Sequence, residues 1–213
     1  MSADDQTASG QAEDSSAARD GTSSSSDLDR RIKLVAAHVL AGVTLLSLWA
    51  ATDAWQAVTG LRAAALLSVL AAIPAGVVFG TLVHEWGHLA GARLGGARYT
   101  IPDRLGLFVF NYDFGANSVS QFFTMSWGGQ IGGALAVVLL WWALPLDTAG
   151  RAMIVAAAIG AFFFAGTIEW PVLSRTRVSG NPLAELSKID RDVLYRSASV
   201  GAVAGLLAWA LIA

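Results

Sequence analysis

Five stretches of this chain are apolar over about 20 residues or more, the length of helix that crosses the hydrocarbon core of a bilayer. Lipid offers no hydrogen-bond partners to a peptide backbone, so each stretch must be helical if it spans the membrane. The pattern therefore predicts an all-α integral membrane protein with about five transmembrane helices. They are expected at residues 32–51, 61–94, 122–146, 152–173 and 193–213.

The composition agrees with that class. Hydrophobic residues make up 54% of the 213 residues and charged residues only 14%, whereas soluble domains carry about 25% charged residues. The net charge of −2 gives no reason to expect a nucleic-acid partner, and the lipid bilayer is the expected surroundings. The chain has no cysteine, which excludes disulfides and thiolate metal sites.

Residues 1–31 differ in composition from the remainder. They are rich in Ser, Ala and Asp and offer almost no apolar surface to bury, so we expect a disordered tail. An early basic region followed by an apolar core is absent, so the segment is not expected to be a signal peptide. Residues 32–213 are expected to form one five-span membrane domain.

The basic residues predict an orientation. With five spans, twelve of the 14 Lys and Arg lie on one side of the membrane, and only Arg62 and Arg151 lie on the other. The positive-inside rule then places the N-terminus in the cytoplasm and the C-terminus outside, in a multi-pass protein of the cell membrane. The twelve are Arg19, Arg30, Arg31, Lys33, Arg93, Arg98, Arg104, Arg175, Arg177, Lys188, Arg191 and Arg196.

The loop after the second span, residues 95–121, is rich in aromatic and β-branched residues that partly alternate with polar ones. This pattern is typical of short strands. It predicts either a short β-like hairpin lying in or against the membrane or an amphipathic surface loop.

The sequence HEWGH lies near the end of the second apolar stretch. In this HExxH pattern His84 and His88 lie one helical turn apart, so both imidazoles can reach one zinc ion. Glu85 is then placed to take a proton from water as a general base. One Zn²⁺ per chain is expected. A catalytic zinc usually has three protein ligands, so the motif requires one more.

Glu169 is the leading candidate for the third ligand. Apart from Glu85, it is the only acidic residue within an apolar stretch, where an ionisable group is costly and usually functional. The second and fourth spans run in the same direction. From Arg62 to His84 is about 33 Å of helix, and from Arg151 to Glu169 about 27 Å, so both groups are expected near the cytoplasmic end.

Two other acids remain alternatives at this stage. Asp190 and Glu185 lie on the same predicted side as the motif, in the polar stretch before the last span. Either would need that stretch to fold back toward the zinc, and Asp190 is the principal alternative. Asp147 lies on the opposite side and is excluded. His38, in the first span, is expected to be an interfacial or packing residue.

A small helical body with HEWGH inside a span resembles the site-2 protease family of intramembrane zinc metalloproteases. The resemblance implies that His84 and His88 bind zinc and that Glu85 is the general base. The Gly-rich segment WGGQIGGAL resembles the Gly-rich third span of that family, and implies a substrate-binding role for Gln130; a helix–helix hydrogen bond is the alternative. The family's Leu-Asp-Gly motif, which supplies its third ligand, is absent here.

The leading hypothesis is a zinc-dependent endopeptidase that cleaves membrane-embedded polypeptides near the cytoplasmic side. The main alternative is a non-enzymatic membrane protein that binds or transports a divalent metal. A transporter usually needs polar groups along both halves of its path, and the outer halves of these spans are apolar. A catalytically silent scaffold is a third hypothesis. The sequence identifies neither the substrate nor a regulatory membrane partner.

Overall fold

The computed structural model describes the backbone of residues 4–213 and the side chains from residue 28 onward. In chain order the elements are α1 (Asp4–Thr59), α2 (Arg62–Leu94), β1 (Tyr99–Thr100), β2 (Asn111–Tyr112), α3 (Val119–Ala143), α4 (Ala149–Ser179), α5 (Pro182–Leu186) and α6 (Arg191–Ile212). Within the described residues, five helices are long and apolar enough to span a membrane, and the qualifying part of α1 is Leu28–Thr59. The predicted fold class is confirmed.

The predicted tail, residues 1–31, lies mostly outside the residues whose side chains are described. Its disorder therefore stays a prediction. The backbone of residues 4–31 belongs to α1, and the side chains of residues 28–31 are described as well.

Polar residues at the helix ends explain why the observed bounds differ from the predicted ones. α3 begins three residues early because Ser118 and Gln121 form a reciprocal capping box at its N-terminus. α4 continues six residues past its apolar stretch, to Ser179, and stops where Gly180 adopts a φ of 66°. Hydropathy locates the membrane-crossing part of a helix, whereas caps and glycines locate its ends.

α2 and α4 form the centre of the bundle. α2 packs against α1, α3 and α4, and α4 packs against α2, α3 and α6. The α2–α3 contact is close because glycines face each other: a Cβ on Gly87 would lie 2.4 Å from the Gly128 carbonyl oxygen. Small residues at such crossings let helix backbones approach in a membrane, where van der Waals packing stabilises helix association.

A buried ion pair joins several helices at the end of the bundle opposite the HExxH motif. Asp53 of α1 is 5% exposed, and its Oδ2 accepts a hydrogen bond from Arg151 Nε of α4 at 2.7 Å. Its Oδ1 accepts from Thr148 Oγ1 at 3.0 Å and from Ser68 Oγ of α2 at 3.4 Å. Arg151 also pairs with Asp147 at 2.8 Å. The carboxylate of Asp53 is thus fully used within the protein.

The predicted hairpin is present as a two-stranded antiparallel sheet in which Tyr99 pairs with Tyr112. Its connecting segment is attached to α1, where His38 Nε2 donates to the Gly106 carbonyl at 2.8 Å and Arg30 pairs with Asp103. His38 Nδ1 accepts from Trp86 Nε1 of α2 at 3.2 Å. One ring nitrogen of His38 therefore ties the hairpin segment to α1, and the other ties α1 to α2.

Candidate metal centre

Three side chains from two helices meet at one point. His84 and His88 lie one turn apart on α2, and Glu169 reaches them from α4. Glu169 Oε1 is 2.8 Å from His84 Nε2 and 3.1 Å from His88 Nε2, and the two Nε2 atoms are 3.0 Å apart. The His84, His88 and Glu169 side chains are only 7%, 12% and 20% exposed.

The spacing of these three atoms fits a zinc ion. Zinc bonds to imidazole nitrogen and carboxylate oxygen are about 2.0–2.1 Å long, so neighbouring ligands of a tetrahedral site lie about 3.3 Å apart. The three observed separations, 2.8 to 3.1 Å, need widening by only a few tenths of an ångström. Three protein ligands leave the fourth position to water or substrate, as in catalytic zinc sites.

The hydrogen bonding of His88 also suits a cation. Its Nδ1 lies 3.0 Å from the Met125 carbonyl oxygen, which can only accept, so Nδ1 carries the proton. In the neutral ring the lone pair of His88 Nε2 then points at Glu169 Oε1. Both atoms are hydrogen-bond acceptors, so they repel each other. A metal ion bound between them removes that repulsion. A carbonyl partner on the far nitrogen is the usual way to orient a metal-binding histidine.

Gly129 makes room for the His88 ring. A Cβ at this position of α3 would lie 2.2 Å from His88 Cε1 and 2.4 Å from His88 Nε2. Gly133, one turn later, borders His84, whose Nδ1 would lie 3.3 Å from a Cβ there. The Gly-rich segment of α3 thus serves both close helix packing and the placement of the two imidazoles.

Gln130 lies against the carboxylate of Glu169, the candidate third ligand. Its Nε2 donates to Glu169 Oε2 at 2.7 Å, and the residue is 4% exposed. Gln130 is absent from the residues that line the adjoining cavity. The contact is a side-chain hydrogen bond between α3 and α4.

The two alternative acids are engaged elsewhere. The Asp190 carboxylate caps α6, with Oδ1 accepting from the Val193 backbone N–H at 2.9 Å. Glu185 of α5 contacts Lys188 at 2.7 Å and Arg175 at 3.1 Å, and these cations lower the pKa of its carboxyl group. The structure therefore brings Glu169, and neither of these two, to the imidazoles.

Glu85 shares a cavity with the three candidate ligands. One of its carboxylate oxygens lies within 4.8 Å of the ring nitrogens of His84 and His88. The cavity has a volume of about 670 Å³. Apart from the polar groups around the motif, its walls are mostly apolar and come from α2, α3, α4, α6 and the hairpin, including Leu107 and Phe162.

Comparisons with known proteins add no relative to this picture. No family model matches the chain, and neither a curated protein nor a solved structure matches it.

Two groups that shape the candidate centre could hardly be recognised from the sequence. The Met125 carbonyl that orients His88 is a backbone group, and no residue type encodes it. Gly129 could be recognised only as one of several closely spaced glycines in the third span.

Proposed function

We propose that this chain is a zinc-dependent intramembrane endopeptidase. The observation that carries the proposal is the convergence of His84 Nε2, His88 Nε2 and Glu169 Oε1 within 3.1 Å of one another. Glu85 lines the cavity at that point. Two imidazoles, a carboxylate and an adjacent unligated Glu form the donor set and base of a hydrolytic zinc site.

The residues of the proposed site have different roles. His84, His88 and Glu169 would hold the metal, which when bound polarises the scissile carbonyl and makes a water molecule more acidic. Glu85 takes the proton from that attacking water and passes it to the leaving amine, so one carboxylate serves first as base and then as acid. The apolar walls limit access of bulk water, which strengthens these electrostatic interactions.

The proposed substrate is a membrane-embedded polypeptide. The HExxH motif lies in a helix apolar enough to span the membrane, and mostly apolar side chains line the cavity. A substrate helix must unwind locally to expose its backbone, because an intact helix shields its carbonyl groups from attack. The basic residues favour an N-terminus in the cytoplasm and a catalytic centre toward the cytoplasmic side.

These features also support the resemblance to the site-2 protease family, with one departure. Glu169 takes the place of that family's aspartate as the proposed third ligand. A glutamate side chain is one methylene longer, so its carboxylate reaches farther from the helix that carries it.

Metal transport has less support. A transport path through the bundle needs acceptors on both sides of the membrane. At the end opposite the motif, the Asp53 carboxylate is already paired with Arg151, Thr148 and Ser68. A fixed guanidinium there also repels cations.

Substitution of the proposed base tests the activity. We expect Glu85→Gln to retain zinc, because Glu85 is not one of the three ligands, and to lower the cleavage rate about 100- to 10,000-fold. Membranes containing the wild type or the variant are compared by mass spectrometry of new polypeptide termini. New termini inside membrane-spanning segments should appear only with the wild type. Equal termini in both, with zinc bound to both, would refute the proposal.

A further inference from the structure

Gln130 has an arrangement that a simple packing contact does not explain. It is 4% exposed, and its Nε2 donates to Glu169 Oε2 at 2.7 Å. The carboxylate can only accept when ionised, so this contact fixes which way the amide points. Its other polar atom, Oε1, is then buried, with no hydrogen-bond partner in the described part of the chain.

A buried, unpartnered carbonyl oxygen costs stability. An apolar residue at position 130 would avoid that cost but would leave Glu169 Oε2 without its donor. The unpaired oxygen of Gln130 lowers stability, and this loss is explained if the amide is needed to orient the Glu169 carboxylate.

The two oxygens of Glu169 have separate partners. Oε1 contacts both imidazoles, whereas Oε2 accepts a hydrogen bond from Gln130. A carboxylate held this way presents one oxygen to a metal and keeps the other turned away. Outer-shell hydrogen bonds of this kind orient metal ligands and tune their affinity.

We propose that Gln130 is a positioning residue that holds Glu169 as a one-oxygen ligand of the metal. This inference rests on the proposed zinc site. It assigns Gln130 a role toward the ligand in place of the substrate contact that resemblance implied. The interaction links α3 to α4, so the donor set of α2 and α4 depends on a third helix.

The test is the zinc affinity of purified full-length protein in detergent, measured by competition with a chromogenic chelator. Gln130→Met removes the amide but keeps an unbranched side chain of similar length, and we expect the zinc Kd to rise about 10- to 100-fold. Ser126→Ala is the matched control, since Ser126 is also a buried polar residue of α3, one turn earlier and 4% exposed. Its Kd should stay within about twofold of the wild type.

A second readout separates positioning from packing. Co²⁺ bound in place of zinc has a visible absorption spectrum that reports ligand geometry, and Gln130→Met should change its intensity and position. A Gln130→Met protein that binds zinc and Co²⁺ as the wild type does would overturn this inference and leave the zinc site standing. A wild type that binds no zinc would instead overturn the proposed function.

Discussion

At the scale of single residues, two glutamates in one cavity have different surroundings. Both oxygens of Glu169 are taken, one by the two imidazoles and one by Gln130. One oxygen of Glu85 lies within 4.8 Å of a ring nitrogen of each imidazole, whereas the atoms that converge within 3.1 Å of one another come from His84, His88 and Glu169. The sequence predicted the difference between the two glutamates only in part. An acidic residue within a span indicates a function, but the sequence does not show which side chains it will contact.

Gly129 gives a residue-scale prediction. Gly129→Ala would place a Cβ 2.2 Å from His88 Cε1, so the ring must move and we expect loss of zinc binding. Gly80→Ala is the control: it lies one turn before His84, and its Cβ would make an ordinary contact at 3.5 Å with Ala158. Zinc content by mass spectrometry measures both. Full zinc occupancy in Gly129→Ala would show that this contact does not hold His88.

At the scale of helices, the sequence predicted which stretches cross the membrane but not which helices are tied together. Apolar length alone indicated five spans, and in the described residues five helices long and apolar enough to cross a membrane occupy these stretches. The short helix α5 was not predicted, since it lies in a polar stretch without periodicity. The contact of Asp53 with Arg151 could not be predicted either, because 98 residues separate the partners.

That ion pair gives an element-scale prediction. Asp53 is 7% exposed at its side chain, so Asp53→Ala leaves the Arg151 charge poorly compensated, and we expect a loss of about 3 kcal/mol in the free energy of unfolding. Asp147→Ala removes the other carboxylate on the same guanidinium, but that side chain is 66% exposed, so the loss should be about 0–1 kcal/mol. Unfolding of purified protein by increasing SDS compares them. Similar losses would mean that Asp53 does not join the helices in this way.

At the scale of the whole molecule, the distribution of basic residues predicts an orientation. A chain without cysteine allows a direct test, because a single introduced thiol can be labelled from one side. Val58 and Val178 are 86% and 90% exposed and lie at opposite ends of the bundle. A membrane-impermeant maleimide added to intact cells should label Val58→Cys and label Val178→Cys only after the membrane is opened. The reverse pattern would invert the orientation and put the centre toward the outside.

The assembly of the candidate metal centre from α2, α3 and α4 is also a property of the whole molecule. HExxH predicted His84, Glu85 and His88 because its spacing is local, within one helical turn. Glu169 was ranked above Asp190 by depth along parallel spans; the Glu169 carboxylate contacts both imidazoles, whereas Asp190 caps α6. The contact of Gln130 with Glu169 could not be predicted, because it depends on the rotation of α3 about its own axis, which hydropathy does not encode.

The most direct measurement is the zinc content of the detergent-purified chain, compared with Glu169→Ala and Asp190→Ala. We predict about one zinc per wild-type chain, as expected for a single catalytic site, its loss in Glu169→Ala, and its retention in Asp190→Ala, where only the cap of α6 is removed. Zinc retained in Glu169→Ala and lost in Asp190→Ala would contradict the arrangement of ligands. A wild-type chain that binds no zinc would contradict the metal centre itself.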